Sequence, residues 1–245
     1  LPINTEWTDV HGWAETHKER ALVAYPLTLD ECISVIEFSK KNGMTICPRG
    51  GGFTFGDMIL NCDQVILDLS RMNKVLNWDK ESGIIVVQPG VRFSNIFELA
   101  MLNNWTLPSC PGGLSVTIGG AISNNVHGKD AFSSGVFGNQ VIEFKLLTAE
   151  GKTLIISRET EYLFQSIVGG IGLLGIIVEI KLQLKKIPSP FVEIVYVNVR
   201  NIEESLELMD NVKDDSVFLL SWVDAFATGN SLGRGIVSYA RWHDG

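Results

Sequence analysis

Pro111-Gly112-Gly113-Leu114-Ser115-Val116-Thr117-Ile118-Gly119-Gly120-Ala121-Ile122-Ser123-Asn124-Asn125-Val126-His127-Gly128-Lys129 is the stretch on which the fold turns. Small and hydroxyl residues alternate with apolar ones, and His-Gly-Lys closes the run. Glycines let a ligand approach the backbone. Free N–H groups in such a run suit an anion such as a pyrophosphate. The closing His127 and Lys129 add titratable groups. The whole reads as one wall of a cofactor site with chemistry at one end.

Outward from it lies a second cluster, Pro48-Arg49-Gly50-Gly51-Gly52-Phe53-Thr54-Phe55-Gly56-Asp57, following a short strand over 44–47. Three consecutive glycines are costly to order, which favours a bound ligand. A third cluster, Gly169-Gly170-Ile171-Gly172-Leu173-Leu174-Gly175, contains G-x-G-x-x-G. The dinucleotide fingerprint must follow a strand and open a helix. Here a helix over 160–168 precedes the glycines and a strand over 176–184 follows, so no nicotinamide nucleotide is expected there.

The remaining pattern is mixed. Residues 1–20 read as an irregular arm and 21–25 as a short strand. Thr28 caps a helix reaching Asn42, with Glu31 completing a capping box. A strand is expected over 65–69, hairpins over 75–87 and 141–157, and a short amphipathic helix over 93–102. Near Ile187-Pro188-Ser189-Pro190 the composition changes. Beyond it a strand (192–199), a helix capped by Asn201 (201–212) and a strand (217–223) read as a β-α-β piece.

The chain has 245 residues, 45% hydrophobic and 20% charged, with net charge −8. That balance argues against nucleic acid or an anionic membrane as the main partner. A phosphate must then be held locally. Cys32, Cys47, Cys62 and Cys110 form no Cys-x-x-Cys pair, no His lies at metal-ligand spacing, and reduced thiols are the default. The apolar run from Ser166 to Val178 is too short to span a bilayer. The N-terminus carries no signal-peptide pattern, and the chain reads as a piece of a longer protein. His11, His17 and His243 read as surface.

Four pieces in order resemble the FAD-binding domain of the vanillyl-alcohol-oxidase (PCMH-type) flavoprotein superfamily. They are Pro48 to Gly52, Val116 to Ile122, Ser134-Gly135-Val136-Phe137-Gly138-Asn139, and Gly169 to Ile177. Within it, His127-Gly128-Lys129, Phe137-Gly138-Asn139, Ser221-Trp222-Val223-Asp224-Ala225 and Leu232-Gly233-Arg234 are similar to the decaprenylphosphoryl-β-D-ribose 2-oxidase branch. The resemblance implies an α+β fold. A two-subdomain FAD-binding domain would occupy 1–187 (subdomains about 1–83 and 84–187), and 188–245 would start an α+β substrate domain.

It implies FAD contacts from Arg49, Gly50, Gly51, Gly52, Phe53, Thr54, Phe55, Gly56 and Asp57. Pro111, Gly112, Thr117, Ile118, Gly119, Gly120, Ala121, Ser123, Asn124, His127 and Gly128 would follow, then Gly135, Phe137, Gly138, Gly172, Gly175, Ile176 and Ile177. His127, Lys129 and Trp222 would face the substrate. The implied reaction is oxidation of a secondary sugar hydroxyl, C2 of a lipid-linked phosphoribose, with hydride passing to flavin N5. A NAD(P)-dependent reductase partner would complete an epimerisation in cell-wall biosynthesis. The setting would be cytoplasmic, with peripheral membrane contact through the substrate. Two alternatives stand beside it: an alditol or aldonolactone oxidase of the same fold, and a flavin-binding module without turnover. Many superfamily members tether the flavin through a His in the slot of Phe53. A phenyl ring cannot, so the FAD is expected to be non-covalent. Phe55 stands where the branch commonly has Tyr.

Overall fold

A computed structural model describes residues 5–244. Strands β1 (Thr5–His11) and β2 (Lys18–Ala24) form an antiparallel hairpin. This corrects the irregular arm expected over 1–20, of which residues 1–4 lie outside the described residues. Helix α1 (Leu29–Lys41) follows, then β3 (Ile46–Arg49) and β4 (Val65–Asp68). Thr28 Oγ1 accepts from Glu31 N at 3.2 Å, and Glu31 Oε2 accepts from Leu27 N at 2.6 Å. The expected cap therefore forms, with its return arm one residue earlier than the standard box.

The four strands make one sheet in the order β1-β2-β4-β3, with β2, β3 and β4 parallel. Parallel strands place their carboxyl ends at one edge, where α/β sheets bind ligands. The glycine loop after β3 starts at that edge. Leu22, Val65 and Leu67 pack against Cys32, Val35 and Ile36 of α1.

Next come β5 (Val75–Asp79), β6 (Ile84–Val87), α2 (Phe93–Ala100), β7 (Trp105–Thr106) and α3 (Ile118–Ser123). Then follow α4 (Ala131–Ser134), β8 (Val141–Leu147), β9 (Thr153–Ser157), α5 (Glu161–Ile167), β10 (Ile176–Gln183) and β11 (Lys185–Lys186). Five of these strands form an antiparallel sheet, β5-β6-β10-β8-β9, and β7 pairs with β11. A division at residue 83 would cut the β5–β6 hairpin. The change of sheet falls between Asp68 and Val75 instead. The core beneath this sheet is aromatic and aliphatic: Phe93, Ile96, Ile118, Ile122, Phe137, Phe144 and Ile180 are all buried. The Phe93 and Phe137 rings meet at 5.2 Å, within the favoured range for tilted pairs.

Beyond Ile187 come β12 (Phe191–Val199), α6 (Ile202–Val212), β13 (Phe218–Val223) and β14 (Gly235–His243). Asn201 Oδ1 caps α6 by accepting from Glu204 N at 2.9 Å. β14 lies between β12 and β13, antiparallel to both. The β-α-β reading lacked this central strand. The described residues make an α+β arrangement of two packed sheets and the short β7–β11 ribbon, followed by the three-stranded sheet.

Candidate functional site

The cleft forms where three glycine-bearing segments converge. The loop after β3 supplies Arg49 to Gly56, the segment around α3 supplies Val116, Thr117, Gly119, Gly120, Ser123 and Asn124, and the loop before β10 supplies Ile171, Gly172, Gly175 and Ile177. Its volume is about 380 Å³, in the range of ligand sites.

Close approach explains the glycines. A side chain on Gly50 would collide with Thr117 Oγ1, which accepts from Gly51 N at 3.3 Å. Gly172 has φ +79°, and a Cβ there would stand 2.8 Å from Pro48 Cγ. The three segments can meet only because these positions lack side chains.

Arg49 anchors the floor. It is the in-register partner of Asp68 across β3–β4. Its Nη1 donates to Asp68 Oδ2 at 2.6 Å, with the Asp68 side chain only 4% exposed. Arg49 Nε is buried and has no protein partner. Among the described residues, the backbone N–H groups of Gly52, Phe53 and Thr54 also lack a protein acceptor. A positive group, an orphaned donor and free amides on one loop fit a phosphate-bearing ligand.

The central stretch behaves differently from its reading as an anion cradle. Ile118 N donates to Val91 O at 2.8 Å and Gly119 N to Pro89 O at 2.9 Å. These amides are spent on the fold. The side chains of Ile118, Ala121 and Phe137, expected at the cofactor, are fully buried in the core. Sixteen of the expected contacts do line the cleft: Arg49 to Gly56, Thr117, Gly119, Gly120, Ser123, Asn124, Gly172, Gly175 and Ile177. Asp57, Pro111, Gly112, His127, Gly128, Gly135, Gly138 and Ile176 are not in that lining. Pro48, Met58, Ile59, Leu69, Pro89, Val116, Val126 and Ile171 line it without having been singled out. Pro48, Val116 and Ile171 lie inside the glycine pieces but are apolar neighbours there, and the other five are revealed only by the converging loops.

His127 and Lys129 are exposed, where the chain leaves the cleft. Lys129 is held from the third sheet. Its carbonyl accepts from Leu219 N at 3.0 Å, and its Nζ lies 5.5 Å from the Phe218 ring. Side chains on a strand alternate, so Phe218, Leu220 and Trp222 share one face. Ser221 points the other way, 3.3 Å from Ser205 of α6. The Lys129 ammonium and Trp222 therefore share the face turned from α6, separated along β13 by roughly 13 Å. Trp222 is 67% exposed. Asp224 and Arg234 serve each other: Arg234 Nη2 donates to Asp224 Oδ2 at 2.7 Å, and this bond foremost holds the Asp224 carboxyl below its ordinary range.

Behind the His-Gly-Lys turn, burial raises the Asp130 carboxyl above its ordinary value, and its Oδ1 has no partner. Burial, helped by the nearby Asp130 charge, pushes the Cys110 thiol up to about 12. All four cysteines are free thiols.

A family model described as FAD binding domain matches residues 20–157, more than half of the chain. The chain belongs to that family. Its cofactor is FAD, and the cleft of this FAD-binding domain meets the chemical demand of a pyrophosphate through Arg49 and the 52–54 amides. A decaprenylphosphoryl-beta-D-ribose oxidase of Mycolicibacterium smegmatis is 27% identical over 231 residues, 93% of this chain and 50% of that protein. A D-arabinono-1,4-lactone oxidase of Eremothecium gossypii is 23% identical, over 92% of this chain and 42% of that one. An alkyldihydroxyacetonephosphate synthase structure superposes with a TM-score of 0.80 at 18% identity, covering 98% of this chain and 53% of that chain. This last likeness shows the fold. The chain spans half or less of the length of these two curated relatives. Among the described residues, no helix is long and apolar enough to cross a membrane.

Proposed function

We propose that the chain is the FAD-binding domain and the first part of the substrate domain of an oxidoreductase. Its reaction is oxidation of a secondary hydroxyl on a sugar, C2 of a lipid-linked phosphoribose. Residues 5–187 hold the cofactor, and 188–244 begin the substrate side. The observation that carries the reading is the seam at Lys129, where the end of the central stretch is hydrogen-bonded to β13. The backbone of Lys129 is thereby fixed at the junction of cofactor and substrate sides, and its exposed ammonium extends from there beside the Phe218 ring.

Bound FAD supplies the hydride acceptor at N5. The chain's own residues bind and orient. Arg49 and the amides of Gly52, Phe53 and Thr54 hold the anionic part of the cofactor. Lys129 holds a substrate oxygen or phosphate as a point charge. His127 orients the hydroxyl or takes its proton. Trp222 offers a flat apolar face to a sugar ring. A NAD(P)-dependent reductase would consume the ketone, and any membrane contact would come through the polyprenyl chain of the substrate.

The cofactor is held without a covalent bond. Phe53 offers no nucleophilic atom, and Cys110, its thiol pushed up to about 12, has little thiolate at neutral pH. Acid precipitation should leave the yellow colour in the supernatant, whereas a yellow pellet would refute this. The function is tested by anaerobic bleaching of the flavin. Reduction by a polyprenyl-phosphoribose and not by free alditols or aldonolactones is expected. The lactone-oxidase relative favours a second reading, and bleaching by free aldonolactones alone would select it. FAD binding with bleaching by none of these would leave the module without turnover.

A further inference from the structure

The turn joining β1 and β2 lies against the cleft from outside. Gly12 is buried there, and a Cβ on it would stand 2.6 Å from Thr54 O and 2.9 Å from Gly56 O. Trp13 N donates to Thr54 O at 2.8 Å, and Glu15 N donates to Gly12 O at 3.2 Å, closing the turn. The Trp13 ring lies 4.9 Å from the Phe53 ring, tilted by 31°. Trp13 is nevertheless 58% exposed and is not in the cleft lining, whereas Phe53 is.

The loop that receives this turn needs support. Three consecutive glycines leave it with the largest conformational freedom to lose, and its Gly52, Phe53 and Thr54 amides have no protein acceptor among the described residues. Among the described residues, its Gly51–Thr54 part is pinned by two hydrogen bonds, Gly51 N to Thr117 Oγ1 and Trp13 N to Thr54 O. The ring contact falls on Phe53, between these pins.

We propose that Trp13 is a positioning residue for cofactor retention. The β1–β2 turn clamps the 50–57 loop, and Trp13 holds Phe53 and the neighbouring free amides in the arrangement that binds FAD. The clamp does from outside what a covalent tether would do from within. The inference rests on FAD occupying this cleft. Ordering a loop beforehand removes that cost from binding, and an aromatic pair is worth about two- to tenfold in an equilibrium.

The test uses the full chain, stripped of flavin and titrated with FAD, as wild type, Trp13→Ala, Trp13→Phe and Gly12→Ala. Flavin fluorescence reads affinity and release, visible circular dichroism reads the flavin's surroundings, and thermal unfolding of the apoprotein reads stability. In Trp13→Ala, FAD should bind roughly two- to tenfold more weakly, mainly through faster release. The flavin dichroism should change, and the apoprotein should melt close to wild type because the indole is largely exposed. Trp13→Phe should restore most of the affinity. Gly12→Ala should weaken FAD with Trp13 intact, by pushing the turn off Thr54. Equal FAD affinity and dichroism in wild type and Trp13→Ala would overturn the clamp, as would a Trp13→Phe variant no better than Trp13→Ala. A wild-type apoprotein that takes up no FAD would overturn the cofactor reading, and the clamp with it.

Discussion

Arg49→Leu should lower the stability of the chain by about 3–5 kcal/mol, the range for a buried charge stripped of its partner. Asp68 is the residue that makes the effect large. Its side chain is only 4% exposed, and Arg49 Nη1 at 2.6 Å neutralises it. Its other oxygen accepts from Ser70 N at 3.0 Å, so the carboxylate cannot swing out to water without uncapping the next turn. For a chain of this size the melting point should fall on the order of 10 °C, read by calorimetry on flavin-free protein. Arg49→Leu with Asp68→Asn should recover most of the loss, because the charge goes while a carbonyl still caps Ser70. A single variant melting within a degree of wild type would show that the ion pair is not what holds β3 to β4 at this edge. In the presence of FAD the same variant should also bind the cofactor more weakly, since the Nε donor leaves with the guanidinium.

Lys129→Ala should slow anaerobic flavin reduction by the phosphosugar roughly 10²-fold, the lower end of what one positioned polar or proton-transfer group contributes. Its FAD content should stay at the wild-type level. Lys129 is exposed and is not in the cleft lining, so cofactor binding does not depend on it. Its hydrogen bond to Leu219 runs through the backbone carbonyl and survives the substitution. Lys129→Arg should recover only part of the rate, because a planar fork replaces a compact point charge. Stopped-flow bleaching of the flavin's visible absorption decides between outcomes. Unchanged kinetics in Lys129→Ala would remove this residue from the substrate site and favour the lactone-oxidase reading.

Local signals carried the sequence-based reading where the chain's structure is local. The Thr28 and Asn201 caps, the hairpins over 75–87 and 141–157, and the helix-then-strand order around Gly169 to Gly175 all rest on neighbours close in the chain. Each of these elements is present. Four glycine clusters in order were enough to name the family and the cofactor. Glycine at a close backbone approach is a residue-level requirement that leaves its mark in the chain itself.

Tertiary structure alone decided the rest. β1 is mostly exposed, with Val10 its buried residue, so no apolar period announces it. It is a strand because β2 supplies its hydrogen bonds. β14 is defined by pairing on both sides, by partners β12 and β13 more than ten residues away. Which amides are free was equally invisible: Ile118 and Gly119 spend theirs on Val91 and Pro89, while Gly52, Phe53 and Thr54 keep theirs. A hydrogen bond to a distant carbonyl has no signature in the donor's own neighbourhood. The type and order of the glycine loops could therefore be read from the sequence, but the face each one offers the cofactor could be read only once the sheets had brought them together.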